Sequence, residues 1–266
     1  LLGQIEADAR LASAWHVRTA LSAGDSSRAI DELKLRASND NRDAHSRIVL
    51  AQLVYSQTKD ANEAFVYLKE AEAIMPVSIA LTSVKVSILR AEGKAEEARR
   101  ILDDYVVNTD AFGAYMMRAA YLANEGEFDS AEKDYRKLTT FTEQGAMGYG
   151  LLSNFYAVNE KLDKAVEVLE EGLDAYPEEV RLKRGLMQLL FVRAQDQDRQ
   201  RALEILAVLE EKLPEDPQLK WLRVLQVLEE STPQSLATAR EKLEDIIKLE
   251  PTAVDAHLTL IRIATQ

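Results

Sequence analysis

A small residue followed four positions later by a large apolar one recurs along the chain, each time shortly after a polar stretch. The pairs are Ala29/Leu33, Ala64/Leu68, Ala98/Leu102, Ala131/Tyr135, Ala165/Leu169, Ala202/Leu206 and Ala239/Leu243, so the alanines stand 35, 34, 33, 34, 37 and 37 residues apart. A spacing of four puts both side chains on one face of a helix. Five residues before the first four alanines stand Gly24, Lys59, Gly93 and Gly126, opening the polar turns GDSS, KDAN, GKAE and GEFD. The fifth turn, EKLD, opens at Glu160. Upstream of that turn Tyr149, Leu152 and Tyr156, three and four apart, make a second apolar helical face. The pattern predicts helix-turn-helix pairs. Pro177 cannot continue a helix and closes one pair, and Pro76, Pro214 and Pro251 stand at the same place in others.

This period resembles the tetratricopeptide repeat, a helix-turn-helix unit of 34 residues. Residues 149–177 carry the family pattern: Tyr149 stands at its Trp, Leu152 at its Leu, Ser153 at its small residue and Tyr156 at its Tyr. Ala165, Leu169, Gly172 and Pro177 fill the second helix and its stop. The resemblance implies an all-α fold, a right-handed α-solenoid of about fifteen helices with no sheet, running as a single array over 1–266. Its units would be 10–43, 45–78, 79–111, 112–145, 146–179, 180–216 and 217–253, with 254–266 as the first helix of a further unit. One helix pair cannot bury both its faces, so units stack on their neighbours. The pattern weakens at both ends. His16 occupies the family's Leu position beside Trp15, and the last two spacings of 37 carry extra residues around AQDQDRQ and EESTPQS.

Composition agrees with helix and narrows the chemistry. Hydrophobic residues make up 47% of the chain, with only ten glycines and six prolines in 266 residues. A net charge of −12 and a pI near 4.9 argue against binding nucleic acid, which calls for a basic footprint. Absent cysteine excludes disulfides, thiolate metal sites and cysteine nucleophiles. No apolar run approaches the roughly 18 residues that span a bilayer, so no direct membrane insertion is expected. The opening LLGQIEADAR has neither an initiator Met nor a leader, which points to a piece of a longer protein. The three histidines fall in different units, and there is no metal-ligand spacing, phosphate loop or nucleophile elbow. No enzyme activity, cofactor or metal is therefore expected. Glu170/Glu171 and Glu210/Glu211 read as a solvated outer face, and Trp15 and Trp221 as packing aromatics.

The resemblance also places a partner-binding wall. Family members that grip acidic chaperone tails use Lys or Arg with Asn along successive first helices. Here those positions hold Gly150 and Asn154, Met116 and Ala120, Ser83 and Ser87, so that clamp is absent. In the family the concave wall is lined by positions 2, 5, 9, 12 and 13 of each first helix. Mapped onto this chain, its charged members are Arg18, Arg90, Arg181, Arg184 and Glu229, a balance of +3 inside a chain of −12. A wall poor in acid, small in its middle and edged with arginine suits an extended or helical peptide with an acidic group. The same composition also suits tight stacking with acids pushed outward by self-repulsion. On the first reading the partner contacts are Asn154, Arg181, Arg184 and Gln188, with Met116, Met147 and Phe191 as apolar ones. The function expected is a non-catalytic protein-protein interaction scaffold. The alternative is an architectural or self-assembly segment of a larger bacterial envelope or polysaccharide-export protein, and the compartment leans to the bacterial envelope.

Overall fold

The structure, a computed structural model, describes residues 16–195, 197–230 and 232–264, with Glu229 and Glu230 described by their backbone only. Trp15, the start of the opening unit and the side chain of Glu229 lie outside the described residues. Among the described residues there are fifteen helices and no strand. The chain forms two compact units, residues 1–134 and 135–266. The first holds α1 (16–22), α2 (Ser26–Asn39), α3 (Ala44–Thr58), α4 (Ala61–Ile74), α5 (Ile79–Ala91), α6 (Ala95–Thr109) and α7 (Phe112–Asn124). The boundary falls within α8 (Phe128–Leu138). The second unit continues with α9 (Gly145–Val158), α10 (Leu162–Ala175), α11 (Val180–Arg193), α12 (Asp198–Lys212), α13 (Pro217–Glu230), α14 (Pro233–Leu249) and α15 (Val254–Ala264).

The turns form where the polar stretches stand, because the backbone there must reverse within a few residues. Gly24, Gly93 and Gly126 adopt φ of 75°, 73° and 81°, and Lys59 and Glu160 adopt the same left-handed conformation at 58° and 60°. At Gly24, Gly93, Gly126 and Glu160 two N–H groups turn back onto the last carbonyls of the preceding helix, as Glu160 and Lys161 do onto Ala157 and Tyr156. Those bonds satisfy carbonyls that a helix end otherwise leaves open.

Each second helix then buries the residues that set the period, with Tyr135 alone among them left half-buried. All seven alanines, from Ala29 to Ala239, are fully buried, and so are Leu68, Leu102, Leu206 and Leu243. Burying each such leucine contributes roughly 1.5–3 kcal/mol. In α9 and α10 the contacts explain the residue types. Ser153 donates its hydroxyl hydrogen to the carbonyl of Ala165 at 2.8 Å. A Cβ at Gly172 would come within 2.9 Å of the Tyr149 side chain, so its absence admits that ring. Tyr149 in turn meets Tyr176 edge-on at 6.3 Å. The extra residues of the last two spacings become helix starts. Thr232 and Ser235 cap α14 reciprocally, with Pro233 at its first turn. At the start of α12, Asp198 is gripped through both oxygens by Arg193 and accepts the N–H of Gln195. That hydrogen bonding from Arg193 holds the Asp198 carboxyl below the usual carboxylate range.

Ala165 lies at the crossing of α9 and α10, where a larger side chain forces the helices apart. Ala165→Leu should cost on the order of 1–3 kcal/mol. Because repeat helices couple mainly to their neighbours, hydrogen exchange should accelerate first in α9, α10 and α11. Equal protection in variant and wild type would mean the crossing lies elsewhere.

Candidate functional site

The residues mapped to the inner wall lie on the first helices of the pairs, and the structure gathers several of them into recesses. In the first unit Ser83, Ser87 and Arg90 of α5 meet Ala120 and Asn124 of α7 around about 250 Å³. Arg90 is already engaged there, by Glu125 at 3.3 Å and by the Tyr121 ring, whose centre lies 5.5 Å away. Met116 is half-buried on α7 and is not part of this lining, which Met117 joins instead.

In the second unit, Met147, Gly150 and Leu151 of α9 and Arg181 and Leu182 of α11 line a recess of about 340 Å³. Met147 is 49% exposed. Gly150 sits inside the helix, yet a Cβ built on it would meet nothing within 4 Å. Two residues earlier the same helix tells the opposite story: a Cβ on Gly148 would lie 2.4 Å from the carbonyl oxygen of Leu138. Gly148 is needed for packing and Gly150 is not. Arg181 is exposed, and its guanidinium has no partner among the described residues. Every other arginine of this unit is engaged, for example Arg193 with Asp163 and Asp198, Arg201 with Glu170 and Arg223 with Glu210. Two carboxylates border the recess, Glu143 and Glu179. Glu179 is committed, since it accepts the Arg181 backbone N–H at the start of α11.

A second recess of the same unit, about 450 Å³, takes in Arg184 and Gln188 of α11, Gln218 and Trp221 of α13, and residues at the start of α15. Arg184 is not free here: it pairs with Asp216 at 2.5 Å and donates to Gln218 at 3.0 Å. Burial pushes the Asp216 carboxyl up, but hydrogen bonds from Arg184 and from the N–H groups of Leu219 and Gln218 outweigh it and leave it below the usual range. The expected polar contacts Asn154, Arg181, Arg184 and Gln188 therefore do not gather in one recess. The two arginines enter different recesses, and Asn154, exposed on α9, lines neither. Phe191 is half-buried against the core of α11 and α12, with Leu190 and Leu206, so part of its surface serves packing. Glu170 and Glu171, read as simply solvated, pair with Arg201 and Arg136. Sequence reasoning missed the acids that engage Arg184 and Arg201 because they lie some thirty residues away in the chain, Asp216 before α13 and Glu170 on α10.

Among the described residues no three His, Asp or Glu side chains gather as metal ligands, and no helix is long and apolar enough to cross a membrane. No protein-family model matches the sequence, and no curated protein matches it either. Solved structures do resemble it. The C-terminal part of a TPR repeat-containing protein from Cytophaga hutchinsonii aligns with a TM-score of 0.55 at 16% identity, covering 91% of this chain and 96% of that one. A tetratricopeptide repeat protein from Parabacteroides merdae aligns with a TM-score of 0.45 at 15% identity, covering 94% and 96%. Identity at that level speaks to architecture and leaves partners open. With buried alanines at the repeat period, left-handed turn residues five positions before five of them, and the likeness to the Cytophaga protein, this chain has the tetratricopeptide-repeat fold.

Proposed function

We propose that the chain is a non-catalytic interaction scaffold, and that a carboxylate-bearing segment of a partner protein docks in the recess over Gly150. The observation that carries this reading is the meeting, in one recess, of three features the fold itself does not use. Glycine inside a helix is roughly 0.5–1 kcal/mol worse than alanine, and nothing around Gly150 demands it. Its missing side chain lets a ligand backbone come close. Met147 offers an adaptable apolar surface beside it. Arg181 presents a planar fork of donors that matches a carboxylate and has no partner of its own. Glu143, which also lines the recess, disfavours an acidic run, so the segment that fits best carries one carboxylate beside apolar residues.

Selection of displayed random peptides on the immobilised chain tests this. Enriched sequences should pair an Asp, a Glu or a free C-terminus with a neighbouring apolar residue. Arg181→Glu should weaken them by well over tenfold, more at low salt, with helicity unchanged. The matched control is Lys69→Glu on α4, an exposed lysine with the same charge change. Glu170 and Glu171 do not serve, since both are ion-paired. Equal losses in both variants would reduce the effect to net charge and remove the recess from the account.

A further inference from the structure

The recess of α11, α13 and α15 differs in chemistry from the one over Gly150. Met187, Leu219, Ile246 and Ala256 behind it are nearly fully buried, and Pro217, Leu222 and Val254 leave apolar surface open to it. Its one cation is cancelled, because Arg184 is paired with Asp216. What remains is acidic. Glu250, at the end of α14, and Asp255, in the first turn of α15, are exposed, border the recess and have no cationic partner among the described residues. Trp221, half-buried, lines it too, and its indole N–H has no acceptor among the described residues. The side chain of Gln188 and the Nε2 amide group of Gln218 are likewise uncommitted, since the Gln218 side chain uses only its Oε1, for Arg184.

We infer that this recess receives a basic side chain, lysine or arginine, from an extended peptide segment. The volume of about 450 Å³ lies within the range of small-ligand sites. A long side chain lays its methylenes on the open apolar surface of Pro217, Leu222 and Val254 while its charge meets Glu250 and Asp255. The Trp221 ring attracts a cation held over its face. The idle amides and the indole N–H supply partners for the backbone carbonyls and N–H groups of the segment. An acidic segment meets two unpaired carboxylates and no free cation. This inference is independent of the proposal for Gly150, which rests on other residues and the opposite charge.

The test uses capped alanine pentapeptides with arginine, norleucine or glutamate at the centre, followed through the indole N–H resonances of the intact chain. The chain has two tryptophans, and Trp15→Phe leaves only that of Trp221. The arginine peptide should shift the Trp221 signal in the millimolar range, the norleucine peptide on the order of tenfold more weakly, and the glutamate peptide not at all. Glu250→Gln/Asp255→Asn should bring the arginine peptide down to the norleucine level. Both positions are exposed, and an unchanged helical spectrum confirms the fold. If that variant unfolds, the ranking of the three peptides on the wild type still decides. No shift with the arginine peptide, an equal or larger one with glutamate, or a folded variant that binds arginine as well as wild type overturns the inference.

Discussion

Replacing Arg118 by leucine should lower the stability of the first unit by about 3 kcal/mol. Arg118 on α7 forks onto Asp134 of α8, donating from Nε at 2.7 Å and Nη2 at 2.8 Å, and reaches Asp103 of α6 from Nη1 at 2.9 Å. One guanidinium thus ties three helices. The exposure of the partners decides the magnitude. Asp134 is 8% exposed and Arg118 19%, so this is not a surface pair of the kind worth a fraction of a kcal/mol. Leucine leaves the nearly buried Asp134 carboxylate without the charge and the two donors that now meet it. Hydrogen exchange in α6 and α7 should report the loss. Arg118→Lys should recover only part of it, because an ammonium cannot fork. Arg118→Leu/Asp134→Leu should recover most, since no charge is then stranded. A loss below about 1 kcal/mol for the single variant would place this pair with ordinary surface pairs.

Gly148→Ala and Gly150→Ala should act in opposite directions although they make the same change two residues apart in one helix. At Gly148 the added Cβ would sit 2.4 Å from the Leu138 carbonyl oxygen and 2.7 Å from the Thr139 nitrogen. Both are backbone atoms at the end of α8, so no rotamer change relieves the clash and the helices must separate. A loss of about 3 kcal/mol, the upper end for overpacking, is expected. At Gly150 the Cβ meets only open space, and alanine should stabilise the helix by about 0.5–1 kcal/mol. Paired denaturation curves settle the signs. The Gly150 variant also bears on function: greater stability with weaker docking is what a glycine kept for a ligand would show. If both variants destabilise equally, Gly150 has a packing role and the recess loses its main support.

Much of the fold was legible in short-range patterns. The seven alanines announce buried helix crossings because a four-residue spacing recurs after a turn, and both features are set within a few residues of chain. Lys59 and Glu160 were marked as turn residues by register alone, and both adopt the left-handed backbone usually left to glycine. The extra residues before Ala239 were visible as an insertion, and the Thr232 to Ser235 capping box that they form is itself a local signal.

The candidate sites were legible only as a list of positions. Register put Met147, Gly150 and Arg181 on one wall, and they share a recess. It also put Arg184 there, where Asp216 claims it from 32 residues away. Gly148 and Gly150 look alike in the sequence, yet one faces the end of α8 and the other faces open space. Helical periodicity by itself determined which residues are buried and where the chain turns, since those depend on neighbours three and four positions away. Which arginine stays free, which glycine is needed and which acids gather beside Trp221 were decided only by the tertiary structure, because each depends on atoms brought together from helices far apart in the chain.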